Sequence, residues 1–159
     1  MTDTLALARR FREVIFDGTF VAKTNYKQEL AHLDWEMATY QVPSLNTIAT
    51  LTQHLHYYIK GLNEFFGGQE LTIRDKYSFD FLPVTAQQEW ETILTRFWND
   101  AEAFASFIEQ MPEEKLGSVF LAEKYGSYKR NIEAMIEHSY YHLGQIVLLK
   151  KIIANGQNT

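Results

Sequence analysis

A chain of 159 residues, 46% hydrophobic and 14% aromatic, can bury roughly 68–70% of its unfolded surface, so neither a metal nor a disulfide is required for folding. It has no cysteine, which excludes disulfides, thiolate zinc sites and cysteine nucleophiles and leaves imidazole, carboxylate and water to ligate any tightly held metal. A formal net charge of -5 without a dense cluster of lysine and arginine argues against nucleic acid as a partner, because neutralising a phosphate backbone needs such a cluster.

In "MTDTLALARR" the arginines follow a short apolar run instead of preceding it, so the segment fails as a signal peptide and a cytoplasmic location is expected. The clean apolar run Ile146 to Leu149 stops at Lys150 and Lys151, far short of the ~18 apolar residues of a membrane-spanning helix. No membrane partner is expected.

Apolar residues recur at helical spacing along the whole chain, with no internal repeat or linker-like stretch, which predicts one all-α domain over residues 1–159. A first helix, about 3–16, places Leu7, Phe11 and Val14 on one face and ends before Asp17-Gly18. The stretch 23–42 is less periodic, although Asp34 can cap a short turn that brings the indole of Trp35 inward. After Pro43-Ser44, the series Ile48, Leu51, Leu55, Ile59, Leu62 and Phe66 steps by three and four and stops at Gly67-Gly68.

"GGQELTIRDKYSFDFLPV" then runs from Gly67 to Val84, a connection long enough to wall a pocket. Thr85 and Gln88 read as a capping box. It opens a third helix carrying Trp90, Ile93, Phe97, Ala101, Phe104 and Ile108 and ending near Met111-Pro112. A second irregular stretch leads to Ser127, the expected cap of a fourth helix. Its stripe is Tyr128, Ile132, Met135, Ser139, His142, Ile146, Leu149 and Ile153. Four long amphipathic helices with two long connections predict a four-helix bundle.

The fourth helix carries His138 and His142, and residues four apart are neighbours on one helical face. Buried imidazoles each need a partner, since an unsatisfied buried polar group costs on the order of 1–3 kcal/mol. A shared divalent metal ion satisfies both, and the second helix offers His54 on its inward arc as a third ligand. With helices over about 44–66 and 127–153, the midpoints fall near residues 55 and 140, so the three histidines meet at mid-height in either orientation, to within ~3–6 Å. Three imidazoles leave a coordination position open, as in catalytic sites.

The competing reading is a set of core histidines hydrogen-bonded to Tyr58, Gln145 and Asn131. His32 and His56 are off the shared face, and the pairs Tyr57-Tyr58 and Tyr140-Tyr141 read as packing residues. Gly61 and Gly144 either allow a close approach or are tolerated interior glycines. "HSYYH" lacks the glutamate of the zincin motif H-E-x-x-H, with Ser139 in its place, so peptidase chemistry is not supported.

His54 in "LTQHLHYY", followed far downstream by "HSYYHLGQI", resembles the DinB/YfiT-like metalloenzyme family, in which a histidine of the second helix precedes H-x-x-x-H and G-Q in the fourth. The similarity extends through "LDWEMA" and "IRDKYSFD" and covers nearly the whole chain to Ile153. It implies a DinB-like four-helix bundle of up-down-down-up topology, a homodimer, and a nickel or zinc ion on His54, His138 and His142. Some relatives are S-transferases that use a low-molecular-weight thiol, and others are described as metal-dependent hydrolases of small-molecule substrates. Relatives often carry glutamate directly after the first histidine of the pair, where this chain has Ser139, so no general base is assigned. A non-catalytic metal- or ligand-binding dimer stays open beside the enzyme.

Overall fold

The computed structural model describes residues 2–156; the expected domain of 1–159 reaches beyond them at both ends. Among these residues the chain is all-helical, with seven α-helices, α1 (Asp3–Arg12), α2 (Tyr26–Leu30), α3 (Trp35–Thr39), α4 (Ile48–Phe66), α5 (Gln87–Gln110), α6 (Glu113–Leu116) and α7 (Tyr128–Gly156), and no strand. The long helices α1, α4, α5 and α7 surround one core. α1 packs on α5 and α7, and α4 packs on the same two.

The helix starts follow from side-chain oxygens that accept otherwise orphaned backbone N–H groups. Thr47 caps α4 by accepting from Thr50 N–H at 3.1 Å, Asp34 caps α3 through Met37 N–H at 2.7 Å, and Ser127 Oγ accepts from Arg130 N–H at 3.2 Å at the start of α7. Two of these caps match the sequence expectation, while α4 begins four residues after Ser44. There the chain turns first, with Ser44 at a φ of 66° and Leu45 N–H bonded to Val42 O.

The start of α5 differs from the expected Thr85–Gln88 box. Its cap position is Ala86, and Glu89 reaches back instead, its Oε2 accepting from Thr85 N–H at 2.7 Å and from Thr85 Oγ1 at 3.1 Å. A carboxylate is the stronger acceptor and also complements the positive end of the helix, so it displaces the amide of Gln88 from that role. The consequent pull on Glu89 is a carboxyl held below its ordinary range.

α1 passes into a π-helical turn at Glu13–Asp17 that ends on Gly18. A Cβ at residue 18 would lie 1.7 Å from Glu13 Cγ, so only glycine closes this end. The expected apolar faces are otherwise buried: Leu7 and Phe11 in α1 with Val14 in the π-helical turn, the stripe of α4 except the half-buried Phe66, and all eight positions of the α7 stripe. In α5 Trp90, Phe97, Ala101, Phe104 and Ile108 are buried as expected, and the one departure is that Leu94 is buried where Ile93 is only partly so.

Two small elements are tied to the long helices, α2 to α7 and the α3 segment to α5. The fully buried Tyr26 of α2 donates its hydroxyl to Ser139 O at 2.9 Å, and Lys150 Nζ of α7 reaches Glu29 Oε2 at 2.7 Å. Trp90, fully buried in α5, donates its indole N–H to Leu33 O at 2.8 Å and fastens the α3 segment. No helix among the described residues is long and apolar enough to cross a membrane.

Candidate metal centre

His54 projects from the middle of α4, and His138 and His142 project from successive turns of α7. α4 packs directly on α7, and the three rings come together: centroids lie 4.4 Å apart for His138 and His142, 4.8 Å for His54 and His142, and 5.2 Å for His54 and His138. One ring nitrogen from each lies within 4.8 Å of the others, so the trio could hold a metal ion. His54 and His142 are buried and His138 is half-buried.

Hydrogen bonds settle which nitrogens face the centre. His54 Nδ1 is 2.9 Å from Ser78 O, and a carbonyl can only accept, so Nδ1 carries the proton and Nε2 keeps its lone pair. His142 Nδ1 makes the same kind of bond to Gln145 Oε1 at 2.7 Å. Metal-bound histidines are normally fixed in this way, the outer nitrogen donating to a carbonyl or carboxylate.

The inner nitrogens then lack protein partners. His138 Nε2 and His142 Nε2 are both buried with no hydrogen bond. Two orphaned imidazole acceptors side by side would be costly in a merely structural core. A cation would satisfy both, so the donor set fits a divalent ion of the imidazole-preferring kind.

Burial is the main force on the titration of all three rings, and it disfavours the charged form. His138 is pushed down to about 4 by burial and by its two histidine neighbours. His142 is lowered by burial, partly opposed by its bond to Gln145, and His54 is lowered by burial, partly opposed by Ser78 and Asp75. Near neutral pH the rings are therefore neutral ligands.

The alternative hydrogen-bonded core is only partly realised. Gln145 does serve His142, whereas Asn131 donates to Tyr125 O and Ser127 O, and Tyr58 donates to Asp75 Oδ1 at 2.9 Å. His56 stands apart, paired with Asp100 of α5, and His32 is exposed. Tyr58 packs edge-on against both His54 and His138, while Tyr57 exchanges hydrogen bonds with the backbone of Arg74. Both hydroxyls thus clamp the 67–84 connection, a role beyond packing. Tyr140 packs on the core, and Tyr141, although 64% exposed, meets the His142 ring edge-on with centroids 4.9 Å apart.

The connection itself supplies what the sequence left unseen. Its one-turn helix at Asp75–Tyr77 delivers Ser78 O to His54, and Phe79 stacks flat on the His54 ring at 4.0 Å. A backbone carbonyl has no residue signature, and the only sequence signal for Phe79 is its place in a long apolar-containing loop. Ser139 Oγ is turned away, donating to Met135 O at 2.7 Å on its own helix.

Gly61 explains how the connection lies so close to α4. A Cβ there would sit 2.4 Å from Ile73 Cγ1 and 2.9 Å from Ile73 Cδ1, whereas a Cβ on Gly144 would meet nothing within 4 Å. Gly61→Ala is expected to push Ile73 outward and loosen residues 73–78, while the gain of about 1 kcal/mol in helix propensity keeps global stability near its starting value. Hydrogen exchange checks this: the amides of Tyr77 and Ser78 should exchange faster with the unfolding midpoint little changed, and unaltered exchange would show that the glycine is only tolerated.

Compared with protein-family models, curated proteins and solved structures, the chain matches none. The centre therefore has to be judged on its own geometry.

Proposed function

We propose that this chain is a DinB-like metal-dependent enzyme, a four-helix bundle of α1, α4, α5 and α7 in up-down-down-up order that holds nickel or zinc on His54, His138 and His142. The observation that carries the reading is the pair of buried, unpartnered Nε2 atoms on His138 and His142, beside outer nitrogens on His54 and His142 already committed to carbonyl acceptors. A divalent ion in such a setting supplies Lewis acidity, which generates a nucleophile from water or a thiol near neutral pH and polarises a substrate carbonyl or leaving group.

The chain's own residues do the rest. Ser78 and Gln145 hold two imidazoles in the ligand tautomer, and Phe79 covers the outer face of His54. Tyr58 and Asp75 form the polar wall beside His138, at the edge of a cleft that lets a small molecule approach. Either hydrolysis or transfer from a low-molecular-weight thiol suits this arrangement, because both need a nucleophile delivered next to a bound electrophile.

Elemental analysis of protein purified without a histidine tag tests the reading. About one equivalent of nickel or zinc per chain is expected after supplementation, and less than about a tenth of an equivalent would overturn it.

A further inference from the structure

His138 is shared between the histidine cluster and a cleft of about 550 Å³ between α4, α7 and the two irregular connections. That size lies within the range of small-molecule sites, about 300–1,000 Å³. Apolar side chains form most of its wall, with Arg74 beside Asp75 and with Asn131 and the neighbouring Tyr125 as polar groups at the end away from the histidines. At the histidine end stand Tyr58, Asp75 and His138, the first two joined by a hydrogen bond. Between the two ends the wall is apolar, with Leu62 one turn further along α4, Met135 and Ala134 on α7, and Phe120 and Leu121 from the connection before α7.

The length of this gradient follows from α7. His138 and Asn131 mark its two ends on that helix, seven residues apart, which is ~10 Å of helix and room for an unbranched tail of roughly eight carbons. Leu121 remains 53% exposed at the far wall, an apolar surface that a tail would cover.

We propose that the ligand of this cleft is a small amphiphile, with a polar reacting head at His138 and an aliphatic or aromatic tail lying along Leu62, Met135, Phe120 and Leu121. The inference rests on the metal-centre reading only for the position of the head. A strongly polar substrate of the same size would give up its own hydration against these apolar side chains without a hydrogen-bond partner in return, whereas each methylene of a tail placed there gains about 0.8 kcal/mol, close to fourfold in affinity.

The test uses a series of straight-chain hydroxamates, from acetohydroxamate to octanohydroxamate, titrated calorimetrically into zinc-loaded protein, because the hydroxamate head chelates a divalent ion. Affinity is expected to rise by about three- to fourfold per methylene until the tail fills the groove. A parallel arm titrates acetamide and octanamide into metal-free protein, where only octanamide is expected to bind. Ala134→Trp should flatten the hydroxamate series by filling the groove. Leu121→Glu, at an exposed position where folding is not at stake, should weaken octanohydroxamate by about tenfold or more.

Affinity that is independent of chain length in both arms overturns the amphiphile, as does an octyl gain that survives Ala134→Trp. If acetohydroxamate fails to bind zinc-treated protein while octanamide still binds the metal-free form, the metal reading fails and the tail groove stands.

Discussion

His142→Ala is expected to lower metal affinity by ~100-fold or more, measured by competition with a chromophoric chelator, and to abolish stoichiometric metal after gel filtration. His142 contributes a buried Nε2 with no protein partner, and its ring lies within 5 Å of both other imidazoles. Removing it leaves two ligands, on α4 and α7, with a gap between them. Losing an outer partner is milder: Gln145→Leu frees the His142 ring to rotate and is expected to cost ~10–100-fold. His56→Ala lies on the other side of α4 against Asp100 and should leave affinity unchanged. If His142→Ala retains affinity within about threefold of the parent, whatever binds is not held by this cluster.

The order of these effects carries information that a single substitution does not. A loss confined to His54, His138 and His142, with a smaller loss at Gln145, describes a centre whose ligands are fixed from behind. Equal losses at all five positions would instead point to general destabilisation of α4 and α7. Thermal unfolding of the metal-free variants separates the two outcomes. Binding to the folded state alone raises stability in proportion to the logarithm of metal concentration, so only a metal-binding variant gains from supplementation.

The three histidines were legible in the sequence because helical periodicity is strict where a face is buried. Ile48, Leu51, Leu55 and Ile59 set the inward direction of α4, and His54 falls between them; Ile132, Met135, Ile146 and Leu149 do the same for His138 and His142 in α7. Register along the two helices then brings the imidazoles to one level. Gln145, which orients His142, was among the hydrogen-bonding partners the sequence offered, whereas what orients His54 was not legible. Ser78 acts through its backbone carbonyl, and any residue type could supply that atom at that place.

The same limit applies to the 67–84 connection. Its length marked it as a possible wall, but its path depends on Tyr57 and Tyr58 reaching Arg74 and Asp75 and on Ile73 fitting over Gly61. These are contacts between a helix and a loop with no shared period. The capping of α5 failed for a different reason: Gln88 and Glu89 are adjacent candidates, and the choice between them depends on where the helix starts within one residue.

Ser139→Glu, the substitution that would bring the chain to the pattern of the family proposed for it, is expected to destabilise the metal-free protein by about 3–5 kcal/mol. Ser139 is fully buried, its hydroxyl bonded to Met135 O and its carbonyl receiving the hydroxyl of the equally buried Tyr26. A glutamate there adds three heavy atoms to a closed flank and carries a charge into a fully buried position; Lys150, the lysine that joins α7 to α2, lies further along the helix and is already bonded to Glu29. With total stabilities of about 5–15 kcal/mol for domains of this kind, such a loss consumes a large share of the whole. Ser139→Ala is the control: it forgoes one hydrogen bond to a helix carbonyl and should cost no more than about 1 kcal/mol. Denaturant unfolding of both variants decides the matter. If Ser139→Glu unfolds at the parent midpoint, the flank beside Tyr26 can open to take the larger side chain. If its midpoint falls far below the parent's while that of Ser139→Ala does not, that flank is closed to a carboxylate, and Ser139 holds its place by size and neutrality.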